Sequence, residues 1–190
     1  MWSVKVASGS FEPRLSGRQY ASIESWRNMK GRIKAGEGTL IGNSGEYYVM
    51  GELLKRGVMA ALAPRNAPSF DILATKQNQT IRIRVKTKSH DYHIWQWSAK
   101  KDGTIFRDLT KSGDFTVLVG LAMDNKDLKF YVVPTHTVNE WLTSDFDRWL
   151  RTPGKHSRPH SPTNPKRTFS EGRKELNPYL DNWDILWEKD

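Results

Sequence analysis

The residues of this chain best suited to chemistry are an aspartate and a lysine that two neighbouring β-segments would present together. Residues 69–88, SFDILATKQNQTIRIRVKTK, read as two β-rich runs around a polar KQNQ turn. Ile81, Ile83 and Val85 alternate with Arg82, Arg84 and Lys86, the period of a strand with one apolar face. A turn centred between Gln77 and Asn78 sets Asp71 opposite Arg84, Leu73 opposite Arg82 and Ser69 opposite Lys86. Directly opposed residues share a face. Asp71, Arg84 and Lys86 are therefore expected on one side of the sheet, with Ile72, Ile83 and Val85 buried on the other. A carboxylate and a lysine held side by side on strands could hold a divalent cation and a nucleophilic water. Lys86 and Arg82 could equally be the ordinary polar face of a half-exposed sheet.

The elements that must position this pair follow from pattern. Asn43 to Gly57, NSGEYYVMGELLKRG, predicts a helix capped by Asn43, with Glu46 three residues on as in a capping box. Tyr47, Met50, Leu53 and Leu54 form its apolar stripe, and Lys55, Arg56 and Gly57 suit its C-terminus. Val58–Ala63 reads as a short strand stopped by Pro64, and His93–Ser98 as another, with Trp95 and Trp97 on one face. The apolar run FTVLVGL at 115–121 predicts a central strand, and Lys129–Val133 its neighbour. Thr137 and Glu140 suggest a second capping box for a helix carrying Trp141 and Leu142. Residues 152–168 contain Pro153, Pro159, Pro162 and Pro165 and read as an exposed basic loop; 177–187 reads as a short helix docked on the sheet. The order implies an α/β layer architecture.

Composition narrows the function. The chain has 190 residues and a net charge of +9, enough length for one domain with a real core. The excess is concentrated: residues 1–40 carry +4, 76–101 carry +6 and 148–175 carry +6, whereas 102–147 carry −4. Three basic blocks between neutral or acidic ones suggest a sided molecule that attracts a polyanion, with nucleic acid favoured over an anionic membrane because no long basic amphipathic helix is visible. There is no cysteine, which excludes disulfides, thiol catalysis, iron–sulfur clusters and cysteine-ligated zinc. The start, MWSVKVASGS, lacks the apolar core of a signal peptide, and no apolar run approaches the roughly 20 residues of a membrane span. A cytoplasmic protein is expected.

The pieces GEYYVMGELLKRG, SFDILA and RVKTK, in that order, resemble the core of the PD-(D/E)XK nuclease superfamily, the restriction-endonuclease-like fold, in its bacterial and phage-type members. FTVLVGL, KFYVVPTHTVNEWL and YLDNWDILW are similar to its downstream pieces. The resemblance covers residues 43–190 and leaves 1–42 as a basic N-terminal extension. It implies a mixed central sheet flanked by helices and a metal-dependent endonuclease that hydrolyses DNA phosphodiesters. Asp71 and the Val85 carbonyl would ligate Mg²⁺ or Mn²⁺, and Glu46 would hold a second metal or its waters. Lys86 would orient or deprotonate the attacking water. Glu46, Asp71 and Lys86 are the expected catalytic set. Arg82, Arg84 and Lys88, with Lys30, Arg32 and Lys34 of the extension, are expected to contact double-stranded DNA. Dimers are frequent in that fold, which leaves a homodimer open, although no heptad or apolar patch stands out.

One position departs from the family pattern. The second acidic ligand falls on Arg84, which reverses the charge. Either Arg84 points outward to phosphate while Glu46 or Glu52 supplies the missing charge, or its guanidinium fills the cation position beside Asp71. In the latter case the chain is a catalytically inactive nuclease-fold protein that binds DNA. Glu46 likewise retains the alternative of a capping-box partner and nothing more.

Overall fold

The computed structural model describes residues 37–187 apart from 65, 66, 68, 90, 91, 111 and 122–127. Lys30, Arg32 and Lys34, and the basic extension to which they were assigned, lie outside the described residues up to position 36.

Helix α1 (Glu37–Lys55) leads into strands β1 (Met59–Leu62), β2 (Ile72–Lys76), β3 (Gln79–Lys88), β4 (Ile94–Ser98), β5 (Asp114–Gly120) and β6 (Lys129–Pro134). Helix α2 (Thr135–Arg151), strand β7 (Lys166–Ser170) and two 3₁₀ turns (Lys174–Tyr179, Asp184–Leu186) complete it. Five strands form a mixed sheet in the order β1-β2-β3-β5-β6, in which only the β3–β5 pair is parallel. β4 and β7 form a separate antiparallel ribbon.

The β2–β3 hairpin has the register that the turn chemistry predicts: Leu73 faces Arg82 and Ile72 faces Ile83. Gln77 adopts a positive φ of 55° in the turn. β5 is buried along its whole length, as its continuous apolar run requires when both faces of a central strand are covered. One face packs Ile72, Ala74, Ile81, Ile83, Val117 and Val119 against Val49 and Leu53 of α1 and against Trp183 and Leu186. The opposite face packs Leu118, Tyr131 and Val133 against Val138 and Leu142 of α2 and against Trp95 and Phe169 of the ribbon.

Several expectations are corrected. α1 begins at Glu37, so Asn43 lies within the helix and caps nothing. The buried stripe of α1 is Gly45, Val49 and Leu53, at four-residue spacing; Tyr47 and Leu54 stay 64% and 54% exposed. α2 starts at Thr135 after Pro134, without a side-chain cap, so Thr137 and Glu140 form no capping box. The segment 152–168 is not all loop, since its last residues enter β7 and hydrogen-bond to β4. The C-terminal stretch makes 3₁₀ turns instead of an α-helix, yet Trp183 and Leu186 dock on the sheet. No helix among the described residues is long and apolar enough to cross a membrane.

Glycine fixes how closely α1 approaches the sheet. A Cβ added at Gly45 would overlap Thr87 Oγ1 of β3 and lie 2.9 Å from Thr87 Cβ. Overpacking at such a contact costs about 1–3 kcal/mol. Gly45→Ala is expected to lower stability by that order in chemical denaturation. Adding Thr87→Ala should recover only part of the loss, because the tight Cβ–Cβ contact persists. A Gly45→Ala protein as stable as wild type would contradict this packing.

Candidate functional site

Asp71 occupies the fork where β2 and β3 separate. The last regular pair is Ile72 with Ile83, and Asp71 stands one residue before β2. Three hydrogen bonds hold it there. Its N–H donates to the Ile83 carbonyl at 2.9 Å, and its carbonyl accepts from the Ala63 N–H at 2.8 Å. Its Oδ2 accepts from the Val85 N–H at 2.7 Å. The carboxylate thus takes the β3 amide that a longer β2 would have bonded, an amide that cannot be left bare in a buried setting without cost.

Asp71 and Glu46 line the same cleft, of about 340 Å³, together with Asn43, Tyr47 of α1 and Leu62, Ala63 and Pro64 after β1. The close approach at Gly45 brings the neighbouring Glu46 to this cleft. With Asn43 inside the helix, the capping role for Glu46 is removed. Glu52, the other candidate acid of α1, ion-pairs with Lys55 at 3.2 Å and with Arg56 at the C-terminal end of the helix. It does not line the cleft.

The alternation on β3 sends Arg84, Lys86 and Lys88 to the face beneath the ribbon, each over an aromatic ring. The Arg84 guanidinium carbon is 5.5 Å from the Phe106 centroid; Lys86 Nζ is 5.4 Å from Trp97 and Lys88 Nζ 5.3 Å from Trp95. Lys86 is half-buried, and no carboxylate within salt-bridge distance of it is found among the described residues. Asp71 still acts on it through space. Burial pushes the Lys86 ammonium below the usual lysine range, with the Asp71 charge partly opposing the shift. Burial likewise raises the Asp71 carboxyl above the usual carboxylate range, against the Val85 N–H and the charges of Arg84 and Lys86. Opposite shifts of a carboxyl and an amine within each other's field are the pattern of an acid–base site.

Arg84 follows neither course that the sequence left open. Its Nε donates to Asp114 Oδ1 at 3.2 Å, one terminal NH₂ donates to Asp114 Oδ2 at 2.9 Å, and the same group reaches the Arg107 carbonyl at 2.9 Å. It is buried, and it neither points outward to phosphate nor fills a position beside Asp71. Asp114 also accepts from Arg82 at 3.1 Å and from Thr135 at 2.8 Å. Lys88 is buried too, paired with Glu171 at 2.9 Å. Arg82 keeps partial exposure while donating to the Asp108 carbonyl and Thr110. Arg84 and Lys88 are thus buried in internal ion pairs, which corrects the expectation that they face nucleic acid, whereas Arg82 stays partly exposed. Trp95 is buried, with its N–H donated to the Val119 carbonyl at 3.1 Å, so it is core. Asp114 is the residue that sequence reasoning passed over. Its sequence signal was an acid opening an otherwise apolar strand; the parallel register with Arg82 is visible only in the sheet.

The donor set accommodates a hard cation in a limited way. Asp71, Glu46 and the Val85 carbonyl are oxygen donors of the type Mg²⁺ accepts, and that ion is often held by one or two carboxylates with the remaining positions left to water and phosphate. No group of three acidic or histidine side chains suited to a metal gathers among the described residues.

The raised Asp71 carboxyl gives a pH prediction. In the folded state Asp71 holds its proton more tightly than in the unfolded chain. Its contribution to stability is therefore present below the unfolded pKa and lost as pH rises through the folded one. A protonated carboxyl is a poor cation ligand, so any Mg²⁺ affinity that depends on Asp71, measured by calorimetry, should fall at a pH above the ordinary aspartate range of about 4. Asp71→Asn should abolish that pH dependence. An affinity flat down to pH ~4 would contradict the assignment.

Among solved structures, the chain is similar to a bacterial homing endonuclease, with a TM-score of 0.46 and 13% sequence identity over 80% of this chain and 93% of that one. No family model matches the sequence, and no curated protein does.

Proposed function

We propose that this protein is a divalent-metal-dependent nuclease that hydrolyses DNA phosphodiester bonds at the cleft between α1 and the β2–β3 fork. The observation that carries the reading is the meeting of Glu46 and Asp71 at one cleft, with Lys86 coupled electrostatically to Asp71. The order of these residues on a helix and two strands, and the basic character of the chain, add to it.

Asp71 and Glu46 would hold Mg²⁺ or Mn²⁺, with the Val85 carbonyl as a further ligand. A bound cation of this kind screens the scissile phosphate and lowers the pKa of water. The chain's own contribution is positional. Two backbone hydrogen bonds fix the Asp71 main chain and a third, from the Val85 N–H, holds its carboxylate, so little reorganisation is needed when a ligand arrives. Lys86 does not line the cleft and reaches it through its charge on Asp71; with its ammonium pushed down by burial, it would stabilise charge on the phosphate or take a proton from water where the substrate meets the ribbon side of the fork.

The inactive alternative drew its force from an arginine occupying the cation position. The pairing of Arg84 with Asp114 favours the active reading instead. Incubation of supercoiled and linear duplex DNA with the purified protein tests it. Mg²⁺ or Mn²⁺ should support cleavage, EDTA should stop it, and re-added metal should restore it. Cleavage that persists in EDTA, or none with either metal, would refute the proposal.

A further inference from the structure

Arg84 and Lys88 of β3 are engaged inside the fold, so the question is which cations are left to meet a polyanion. The segment from Arg148 to Ser170 contains no acidic residue. Within it Arg151, Lys155, Arg158 and Lys166 are exposed, and none has an ion-pair partner among the described residues. Arg148 is different, since it pairs with Asp145 at 3.3 Å. Arg167 is also different, being buried, with its guanidinium 3.3 Å from the Phe146 centroid.

Arg151 ends α2 and Lys166 opens β7, and Lys155 and Arg158 sit on the folded loop between them. Gly154 N–H donates to the Arg158 carbonyl at 2.9 Å, and Ser157 N–H donates to the Gly154 carbonyl at 3.1 Å. His156 and Ser157 adopt positive φ angles of 60° and 56°, which closes the turn. The His160 ring stacks on Trp149 of α2 with centroids 3.8 Å apart, pinning the far side of the loop. A Cβ at Gly154 would lie 2.8 Å from His160 Cε1, so the glycine permits that packing. At its end the loop passes directly into β7, where Arg167 pairs in register with Trp97, whose ring lies over Lys86. The loop therefore feeds into the ribbon that covers the β3 lysine.

We infer that the loop from Arg151 to Lys166 is a docking surface for the phosphate backbone of duplex DNA. Fixed cations without internal counter-charges release condensed counterions when they meet phosphates, and a loop already folded loses little entropy on binding. The choice of DNA as partner rests on the nuclease reading above; the surface itself rests on the charge and geometry of the loop.

The test measures binding of a duplex oligonucleotide in EDTA, which separates binding from hydrolysis, as a function of salt. The fourfold variant Arg151→Ala, Lys155→Ala, Arg158→Ala, Lys166→Ala is compared with a control of equal charge, Lys76→Ala, Lys100→Ala, Lys101→Ala, Lys174→Ala. All eight positions are exposed. The loop variant should reduce the slope of log K against log salt by about 3–4, near one per phosphate contact, and weaken binding at least about 100-fold at moderate salt. The control should change affinity by less than about threefold. Equal losses in the two variants, or no loss in the loop variant, would overturn the inference. So would loop-dependent binding to phosphatidylserine vesicles without binding to the duplex. Mg²⁺-dependent cleavage is assayed on the same proteins: loop-dependent binding without cleavage removes the nuclease reading alone, and cleavage with loop-independent binding removes this inference alone.

Discussion

Asp71→Asn should reduce Mg²⁺-dependent DNA cleavage by about a thousandfold or more while leaving the protein folded. The size follows from what the substitution removes. An amide keeps an oxygen that can accept the Val85 N–H, so the fork between β2 and β3 retains its third hydrogen bond. The negative charge is gone, and a cation site that relies on two carboxylates loses half of its formal charge. Metal-ion catalysis and a positioned general base contribute several kcal/mol of barrier lowering, and about 1.4 kcal/mol is a factor of ten. Burial opposes the Asp71 charge, so the neutral amide should melt at or slightly above the wild-type temperature. Lys86→Ala should lose about 10²–10⁴-fold in the same assay. The two losses should not add, since residues that act as a unit rarely do. Supercoiled-plasmid cleavage with thermal melts of each variant makes the comparison. An Asp71→Asn protein that cuts at the wild-type rate would place the chemistry elsewhere.

Asp114→Ala should be strongly destabilising, as much as truncating a large core side chain. The Asp114 carboxylate is fully buried and accepts from Arg82, Arg84 and Thr135. Removing it leaves the buried Arg84 guanidinium without a counter-charge. Breaking a buried pair from one side costs about 3–5 kcal/mol. For a chain of this size that corresponds to a fall in melting temperature on the order of 10 °C. The pair as a whole is a different matter, because its desolvation costs offset much of its attraction. Arg84→Met combined with Asp114→Asn should therefore melt well above Asp114→Asn alone. There is also a functional consequence. The released guanidinium of Arg84 already acts on Asp71 through space and becomes free to compete with a cation for it. Asp114→Asn should accordingly weaken Mg²⁺ affinity even at temperatures where it is folded, and the added Arg84→Met should restore that affinity. A melting temperature within about 2 °C of wild type for Asp114→Ala would show that the arginines find other partners.

The hairpin was readable because its register is a local matter. A polar turn between two alternating runs leaves one pairing that buries Ile72, Ile81 and Ile83 together, and a slip by one residue would expose all of them. β1, β4, β5 and β6 were readable for a similar reason. Helix boundaries were less so. Asn43 and Thr137 are good caps in isolation, but the helices start earlier, at Glu37 and Thr135. A cap preference of about 1 kcal/mol is easily outweighed by what the rest of the element packs against. In the stripe of α1, Leu53 is buried and Met50 packs on the core as expected, whereas Tyr47 and Leu54 give way to Val49 and to Gly45, which has no hydrophobic signal at all. Its contribution is a missing side chain opposite Thr87.

The amino-acid sequence by itself determined β1 to β6, the β2–β3 register and the pairing of Asp71 with Lys86, because each depends on periodicity within a few residues; the candidacy of Glu46 came from the family resemblance, and β7 was read as loop. The tertiary structure alone decided the fate of the charges. Arg84 turns to Asp114, thirty residues away in sequence and on the adjacent parallel strand, and Lys88 turns to Glu171 on a segment from the second sheet. A charge in a low-dielectric interior takes whichever opposite charge the fold brings within reach. That partner is set by strand order, which no local pattern encodes. The same choice removes these cations from the surface and leaves the Arg151–Lys166 segment among the exposed positive ones of the described residues.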